Sequence, residues 1–190
     1  CLKMNKKILV VGDLFLDIYS KYDSIRNSPE AKAPVLINQK KEFFLGGCGN
    51  VAANLRSFNE NVVLMSFFSN DNHSYNLKKM LKKKNIKTYF LFHPDYKNIY
   101  KSRIFKNDQQ IARIDNEKTI KHNTASLKKF KQYLIKNIKI FKSIIISDYA
   151  KGFINEKIVE IITSLSKNYN IPIFADPKNS NPKFYKNVNF

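Results

Sequence analysis

Glycine is scarce in this 190-residue chain, cysteine scarcer, and tryptophan absent: five glycines and two cysteines. Two cysteines, at 1 and 48, make no CxxC pair and no disulfide framework, which excludes a disulfide-stapled secreted scaffold and a cysteine zinc site. No run is apolar for long enough to span a bilayer, and no secretory core stands near the start, so a cytoplasmic protein without a membrane partner is expected. Acidic residues are also few, 15 against 34 basic, for a formal charge of +19. That surplus invites a nucleic-acid reading. Arginine, however, occurs only at 26, 56, 103 and 113, and it is arginine that reads phosphates bidentately and base edges. The lysine excess amid many asparagines and isoleucines reads instead as solvated faces, with a positive field that would attract a phosphorylated substrate. No Walker A string, HExxH or zinc-spaced histidine cluster occurs. His73, His93 and His122 sit in polar stretches and are expected to be solvated.

The few glycines are concentrated. Gly46, Gly47 and Gly49 fall within four residues and open into Asn50-Val51-Ala52-Ala53-Asn54-Leu55. Glycines let the backbone adopt positive φ and approach a ligand, and the helix that follows offers unpaired N–H groups. Asn50 adds an amide that both donates to and accepts from hydroxyls. A tight packing turn is the plain alternative for a Gly-Gly pair. Three glycines followed by Asn and small residues favour a binding loop.

Along the chain, Lys7–Gly12 reads as a buried parallel strand, followed by Asp13 and Asp17. Asp23–Pro34 reads as irregular, because its prolines exclude a central strand or helix interior. Val35–Leu45 looks like a strand, then come a helix at 50–58, a strand at Val62–Phe68, a basic helix at Asn76–Lys84 and a strand at Thr88–Phe92. Ile99–Phe105 and Gln109–Ile114 form a predicted hairpin around Lys106-Asn107-Asp108. Asn123–Ile138 and the segment capped by Asn155 read as amphipathic helices. Ile144–Ile146 and Ile171–Ala175 are the last strands, and Val188–Phe190 is apolar. The alternation predicts an α/β fold with a largely parallel sheet and a small β appendage from 35–45 and 99–114.

Three strand ends carry charge: Asp13/Asp17, Asp148/Lys151 and Asp176/Lys178. In a parallel sheet they converge on the edge where ligands bind. Carboxylates there suit sugar hydroxyls or a metal, and lysines suit phosphates. Gly47-x-Gly49-x-x-Ala52, with Asp71 about 20 residues on, also matches a dinucleotide fingerprint. An NAD(P)-binding Rossmann enzyme therefore stands as the alternative, although the turn after Lys7–Gly12 lacks that pattern. A basic nucleic-acid module is a third class.

Several strings together resemble the ribokinase-like (PfkB) carbohydrate kinases, within them the heptose-7-phosphate kinase group. They are Val11-Gly12-Asp13 with Asp17, Ser28-Pro29-Glu30-Ala31, Gly46-Gly47 through Asn50-Val51-Ala52, and Gln109-Gln110 through Asp115. Ser147-Asp148-Tyr149-Ala150-Lys151-Gly152 and Asp176-Pro177-Lys178 complete the set. The resemblance implies a doubly wound α/β domain over residues 4–190 with a β lid that also serves as a dimer interface. It implies that Asp17, Gly46, Gly47 and Asn50 contact sugar hydroxyls, with Asp13 and Asp148 on the substrate side. Lys101 and Arg103, with Lys151 as a further candidate, would hold the 7-phosphate, and Asp176 and Lys178 would face Mg-ATP. The implied reaction is transfer of the ATP γ-phosphate to the anomeric hydroxyl, with Mg2+ as cofactor, in ADP-heptose synthesis for lipopolysaccharide. The Gly-Ala-Gly-Asp string that carries such a kinase's catalytic Asp does not occur in residues 1–190, nor does its Asn-x-x-Glu string. The expectation is thus an N-terminal portion, incomplete at its C-terminus and without its ATP-binding portion, inactive alone. A non-catalytic sugar-phosphate-binding remnant is the variant of that reading. Cys1 followed by Met4 leaves open whether Met4 is the natural start or the sequence continues upstream.

Overall fold

A computed structural model describes residues 6–106, 108–178 and 185–189. Met4, Asn107 at the predicted hairpin tip and Phe190 lie outside the described residues. Two sheets share one chain. The first contains β1 (Lys7–Gly12), β4 (Val62–Phe67), β5 (Lys87–Leu91), β8 (Phe141–Asp148) and β9 (Ile173–Pro177). Its order is β5-β4-β1-β8-β9, and every pairing is parallel. The second contains β2 (Leu14–Asn27), β3 (Pro34–Gly47), β6 (Ile99–Lys106) and β7 (Gln109–Asn116), in the order β3-β2-β6-β7. There β2 runs parallel to β6, and the two outer pairings are antiparallel. Among the described residues four α-helices complete the fold: α1 (Cys48–Ser57), α2 (Ser74–Lys83), α3 (Thr124–Asn137) and α4 (Glu156–Lys167).

The central strands read as unbroken apolar runs because both faces of the parallel sheet are covered. On β1, Leu9 and Val11 join Met65, Phe67, Phe130, Leu134, Ile144 and Ile158 in the core beneath α3 and α4. Ile8 and Val10 face the other way, into Leu64, Ala52, Leu77 and Leu81 of the α1/α2 side. α3 and α4 start where the sequence predicts, whereas α1 and α2 each start two residues before the predicted 50 and Asn76. Asn123 accepts from the Ser126 N–H at 2.8 Å, and Asn155 from the Ile158 N–H at 3.0 Å.

The lid is larger than the sequence reading allows. Residues 14–27 form a 14-residue strand, where a turn with two aspartates and then an irregular segment are expected. The prolines do respect the strand: Pro29 lies in the 28–33 turn and Pro34 begins β3 at the sheet edge. Period-two alternation on β2 explains the element. Leu14, Leu16 and Ile18 point into the α1/α2 core. Between them, Phe15, Asp17, Tyr19 and Lys21 face the opposite side. Cross-strand register places Gly46, Phe44 and Glu42 beside that second set, with Lys101, Arg103 and Phe105 on its other flank. The lid therefore has an apolar inner face and a charged, aromatic outer one.

Asp13 alone separates β1 from β2. Its N–H donates to the Ser147 carbonyl at 3.3 Å, and the next N–H, of Leu14, donates to Ser66 Oγ at 3.1 Å. Gly12 makes this junction sterically possible, since a Cβ there would stand 2.0 Å from the Ser147 carbonyl oxygen. Gly12→Ala is expected to lower unfolding stability by about 1–3 kcal/mol or more through overpacking, read as a fall in the chemical-denaturation midpoint. An unchanged midpoint would show that β1 and β8 separate freely at this point.

Candidate functional site

The predicted convergence of strand ends is present. β1, β8 and β9 lie side by side, with Gly12 paired to Ser147, Ser147 to Asp176 and Asp148 to Pro177. Above this edge the outer face of the lid closes a cavity of 300 Å³ lined by Phe15, Asp17, Gly46, Gly47, Asn50, Lys101, Arg103, Arg113, Tyr149 and Lys178. A neighbouring trough, lined by Tyr19, Lys21, Glu42, Phe44 and Phe105, shares Asp17, Leu45 and Asn50 with it.

The glycine turn brings backbone to the cavity wall. Gly47 has φ +57°, and a Cβ on it would lie 2.1 Å from the Asp13 carbonyl oxygen. At Gly46 a Cβ would meet the Phe15 ring at 2.3 Å and Asp17 Oδ2 at 2.5 Å. Asn50 is exposed in the first turn of α1, free of the packing that buries Cys48 and Gly49. Cys48 is fully buried, which pushes its thiol well up and leaves it a small apolar filler against Gly12.

Cations arrive from the lid. Arg103 Nη1 donates to Asp17 Oδ1 at 2.6 Å, and its guanidinium carbon stands 5.2 Å from the Tyr19 ring centroid. Lys101 is buried, with Nζ 5.2 Å from the Phe15 ring centroid and 3.7 Å and 3.5 Å from Asp115 and Glu117. Arg113 grips Asp115 with two bonds of 2.7 Å. Lys151 Nζ bonds Glu117 at 2.5 Å. Arg113 holds Asp115 below the usual carboxylate range, and Lys151 does the same for Glu117, with Lys101 adding to both. The lining thus carries Lys101, Arg103, Arg113 and Lys178 against Asp17 as its one carboxylate.

Of the other predicted residues, Asp13, Asp148, Lys151 and Asp176 stand outside that lining. Asp13 is 3% exposed and braces the loop after β8. Its Oδ2 accepts from the Tyr149 and Lys151 N–H groups at 3.0 and 3.1 Å, and its Oδ1 from that of Phe153 at 3.1 Å. Burial pushes its carboxyl up, the three N–H groups pull it back, and nearby Asp148 adds to the rise. The same loop holds Ala150 at φ +55°, a left-handed conformation that these bonds help to fix. Asp148 caps the turn from the Ala150 N–H at 2.7 Å and accepts from the Tyr185 hydroxyl at 2.7 Å. Lys178 lines the cavity, its Nζ 5.9 Å from the Tyr149 ring centroid, while Asp176 is exposed at the end of β9. Sequence reading missed Phe15, Arg113 and Tyr149. Alternation with Asp115 was the available signal for Arg113, whereas the aromatics carry none.

His93 and His122 are not solvated as expected. His93 has its ring side-on to Phe67, and His122 lies between Phe67 and Phe153. His122 Nε2 is 2.8 Å from the Phe153 carbonyl and Nδ1 is 2.9 Å from Ser126 Oγ. Burial lowers its pKa to about 4. The dinucleotide reading also lacks support in place: the glycine turn follows β3 of the lid, and Asp71 is bound to the His73 and Asn98 N–H groups and the Asn98 amide.

Among the described residues no helix is long and apolar enough to cross a membrane. The sequence model for pfkB family carbohydrate kinases matches residues 5–188. The chain is 37% identical over 186 residues to the Bifunctional protein HldE of Aliarcobacter butzleri, covering 97% of this chain and 39% of that protein. The protein of that name from Nitratiruptor sp. is 33% identical over 181 residues, covering 95% and 38%. The chain therefore spans about two fifths of the length of these curated relatives. In structure it resembles phosphofructokinase-2 from Escherichia coli in complex with fructose-6-phosphate, with TM-score 0.66 at 15% identity over 94% of this chain and 57% of that one. That likeness establishes the ribokinase-like α/β fold. The family match overturns the nicotinamide alternative.

Asp13→Ala strands three N–H groups, that of Phe153 buried and those of Tyr149 and Lys151 partly so, and is expected to cost about 2–4 kcal/mol, with faster amide exchange at all three. Unchanged exchange there would refute the bracing role. Acid supplies a second check. Unfolded His122 takes up its proton near pH 6.5, and the folded one only near 4. Its contribution is therefore complete above pH 6.5 and is lost as pH falls towards 4, on the order of 2–3 kcal/mol. His122→Gln is expected to flatten that part of the stability–pH curve, and an unflattened curve would assign the acid sensitivity elsewhere.

Proposed function

The chain belongs to the pfkB family of carbohydrate kinases, and on that premise we propose that it forms the sugar-binding side of a heptose-7-phosphate kinase. One observation carries the reading: a single cavity combines groups suited to hydroxyls with a cluster of cations. Asp17, the Asn50 amide and the Gly46–Gly47 backbone suit a polyol, since they offer both acceptors and donors. Lys101, Arg103 and Arg113 suit a phosphate on the same molecule. The adjoining trough supplies length for a seven-carbon chain.

In this reading the chain's own residues bind and orient. Asp17 and Asn50 hold the ring hydroxyls, so that the anomeric hydroxyl faces the C-terminal ends of β1, β8 and β9. Lys101 and Arg103 hold the 7-phosphate, and Asp13, Asp148 and Lys151 keep the loop 149–153 in shape behind them. Fixing both ends of the sugar is where such a transfer gains most from the protein. ATP would be the phosphoryl donor, with Mg2+ offsetting its charge. Among the described residues no three His, Cys, Asp or Glu side chains gather as an ion cage. Asp176 and Lys178 are the residues we assign to the nucleotide side.

The reaction also needs a base for the attacking hydroxyl and an anion hole, and residues 1–190 contain no Gly-Ala-Gly-Asp string to supply them. Because the chain spans about two fifths of the length of its curated relatives, we assign it the N-terminal part of one kinase domain, with place in ADP-heptose formation and a cytoplasmic setting following from the same reading. Exposed Ile111 and Ile114 on β7 support a homodimer contact through the lid.

Calorimetry on the 190-residue polypeptide is expected to show binding of heptose 7-phosphate, weakened roughly 10–100-fold by Lys101→Met. A coupled assay with Mg-ATP is expected to show no ADP release above background. Turnover by this polypeptide would overturn the division of labour, and absence of sugar-phosphate binding would overturn the substrate assignment.

A further inference from the structure

Asp17 and Arg103 are expected to serve different parts of the substrate, yet they bond to each other at 2.6 Å. Asp17 is the one carboxylate lining the cavity, and Arg103 occupies one of its oxygens. The pair is mostly enclosed, with side-chain exposures of 22% for Arg103 and 17% for Asp17. A hydroxyl seeking that oxygen must displace a guanidinium, and a displaced guanidinium needs a new anion.

The surroundings favour its release towards an added anion. Arg103 lies directly across from Arg113 in the β6–β7 register, and like charges facing each other across a ladder repel. Arg113 already has both its bonds on Asp115, and Lys101 lies between Asp115 and Glu117, so the acids of β7 and its extension are engaged. The Tyr19 ring flanks the guanidinium, its centroid 5.2 Å from the guanidinium carbon, a cation–π contact separate from the Asp17 bond.

We propose that Arg103 is a phosphate-operated latch on Asp17, and hence the residue that makes the site select phosphorylated sugars over free ones. Without phosphate, Arg103 holds Asp17 Oδ1, and a neutral sugar that takes both carboxylate oxygens must break the pair uncompensated. With phosphate on the substrate, Arg103 turns to it, and Asp17 is released to the hydroxyls. Binding at one end thus prepares the other. This rests on the heptose-7-phosphate reading above, and it adds a coupling that two independent contacts would not have.

The test is calorimetry on the whole chain with three probes: heptose 7-phosphate, the same heptose without phosphate, and inorganic phosphate. In Arg103→Met, affinity for the 7-phosphate is expected to fall roughly 10–100-fold while affinity for the free heptose rises about 2–5-fold. A plain phosphate ligand would leave the free heptose unchanged, and a purely structural arginine would weaken both. Either result overturns the latch. Wild-type protein gives a version independent of any variant's folding. Saturating inorganic phosphate is expected to tighten free-heptose binding about 2–5-fold, by capturing Arg103. No effect, or competition, overturns the latch alone. Wild-type protein that binds neither sugar overturns the heptose reading beneath it.

Discussion

The buried carboxylate of Asp13 is the constraint on which the other parts depend. Its backbone joins the core sheet to the lid, its carbonyl accepts the Cys48 N–H at 3.0 Å, and its side chain takes three N–H groups from the loop after β8. Three segments far apart in sequence are thereby fixed to one residue: the lid strand, the start of α1 and the loop carrying Tyr149 and Lys151. A carboxylate out of water is tolerated only with such partners. The glycines around it follow from the same crowding, because Gly12 and Gly47 leave the space that the Ser147 and Asp13 carbonyls occupy.

Much of this was legible in the sequence. Strongly periodic or unbroken apolar segments, such as Lys7–Gly12 and the helices capped by Asn123 and Asn155, carry their own signal and were found nearly to the residue. Convergence of the Asp13, Asp148 and Asp176 ends followed from parallel topology. The strand at 14–27 was obscured because its outward positions hold Asp17, Lys21 and Asp23, which read as a polar loop when alternation is not traced. Its inward Leu14, Leu16 and Ile18 were the available clue.

What the sequence did not convey is pairing over distance. Nothing near His122 announces that Phe67 and Phe153 enclose it. Nothing near Asp17 announces Arg103, 86 positions away. A strand-end aspartate looks alike whether it meets ligand or backbone, so Asp13 and Asp17 were read as one kind. The fold separates them: Asp13 faces the loop behind β8, and Asp17, on the outer side of β2, faces the cavity. Charge totals mislead for the same reason. The chain is strongly basic, yet the cations that matter here are the few that strand alternation turns to the lid's outer face.

That only Asp13 stands between β1 and β2 bears on how this protein can vary over evolutionary time. Strand side chains alternate, so one residue added or lost at this junction would exchange the two faces of the lid. Asp17 and Tyr19 would turn into the helices, and Leu16 and Ile18 would line the cavity. Length change is therefore barred at the point of closest connection. The 28–33 turn between β2 and β3 lies at the far end of those strands and is free of that restriction. Relatives that differ in what they accommodate are expected to differ by substitution near Asp13 and by insertion at the lid's outer turns, so that chain length records substrate diversity only at a distance from the chemistry.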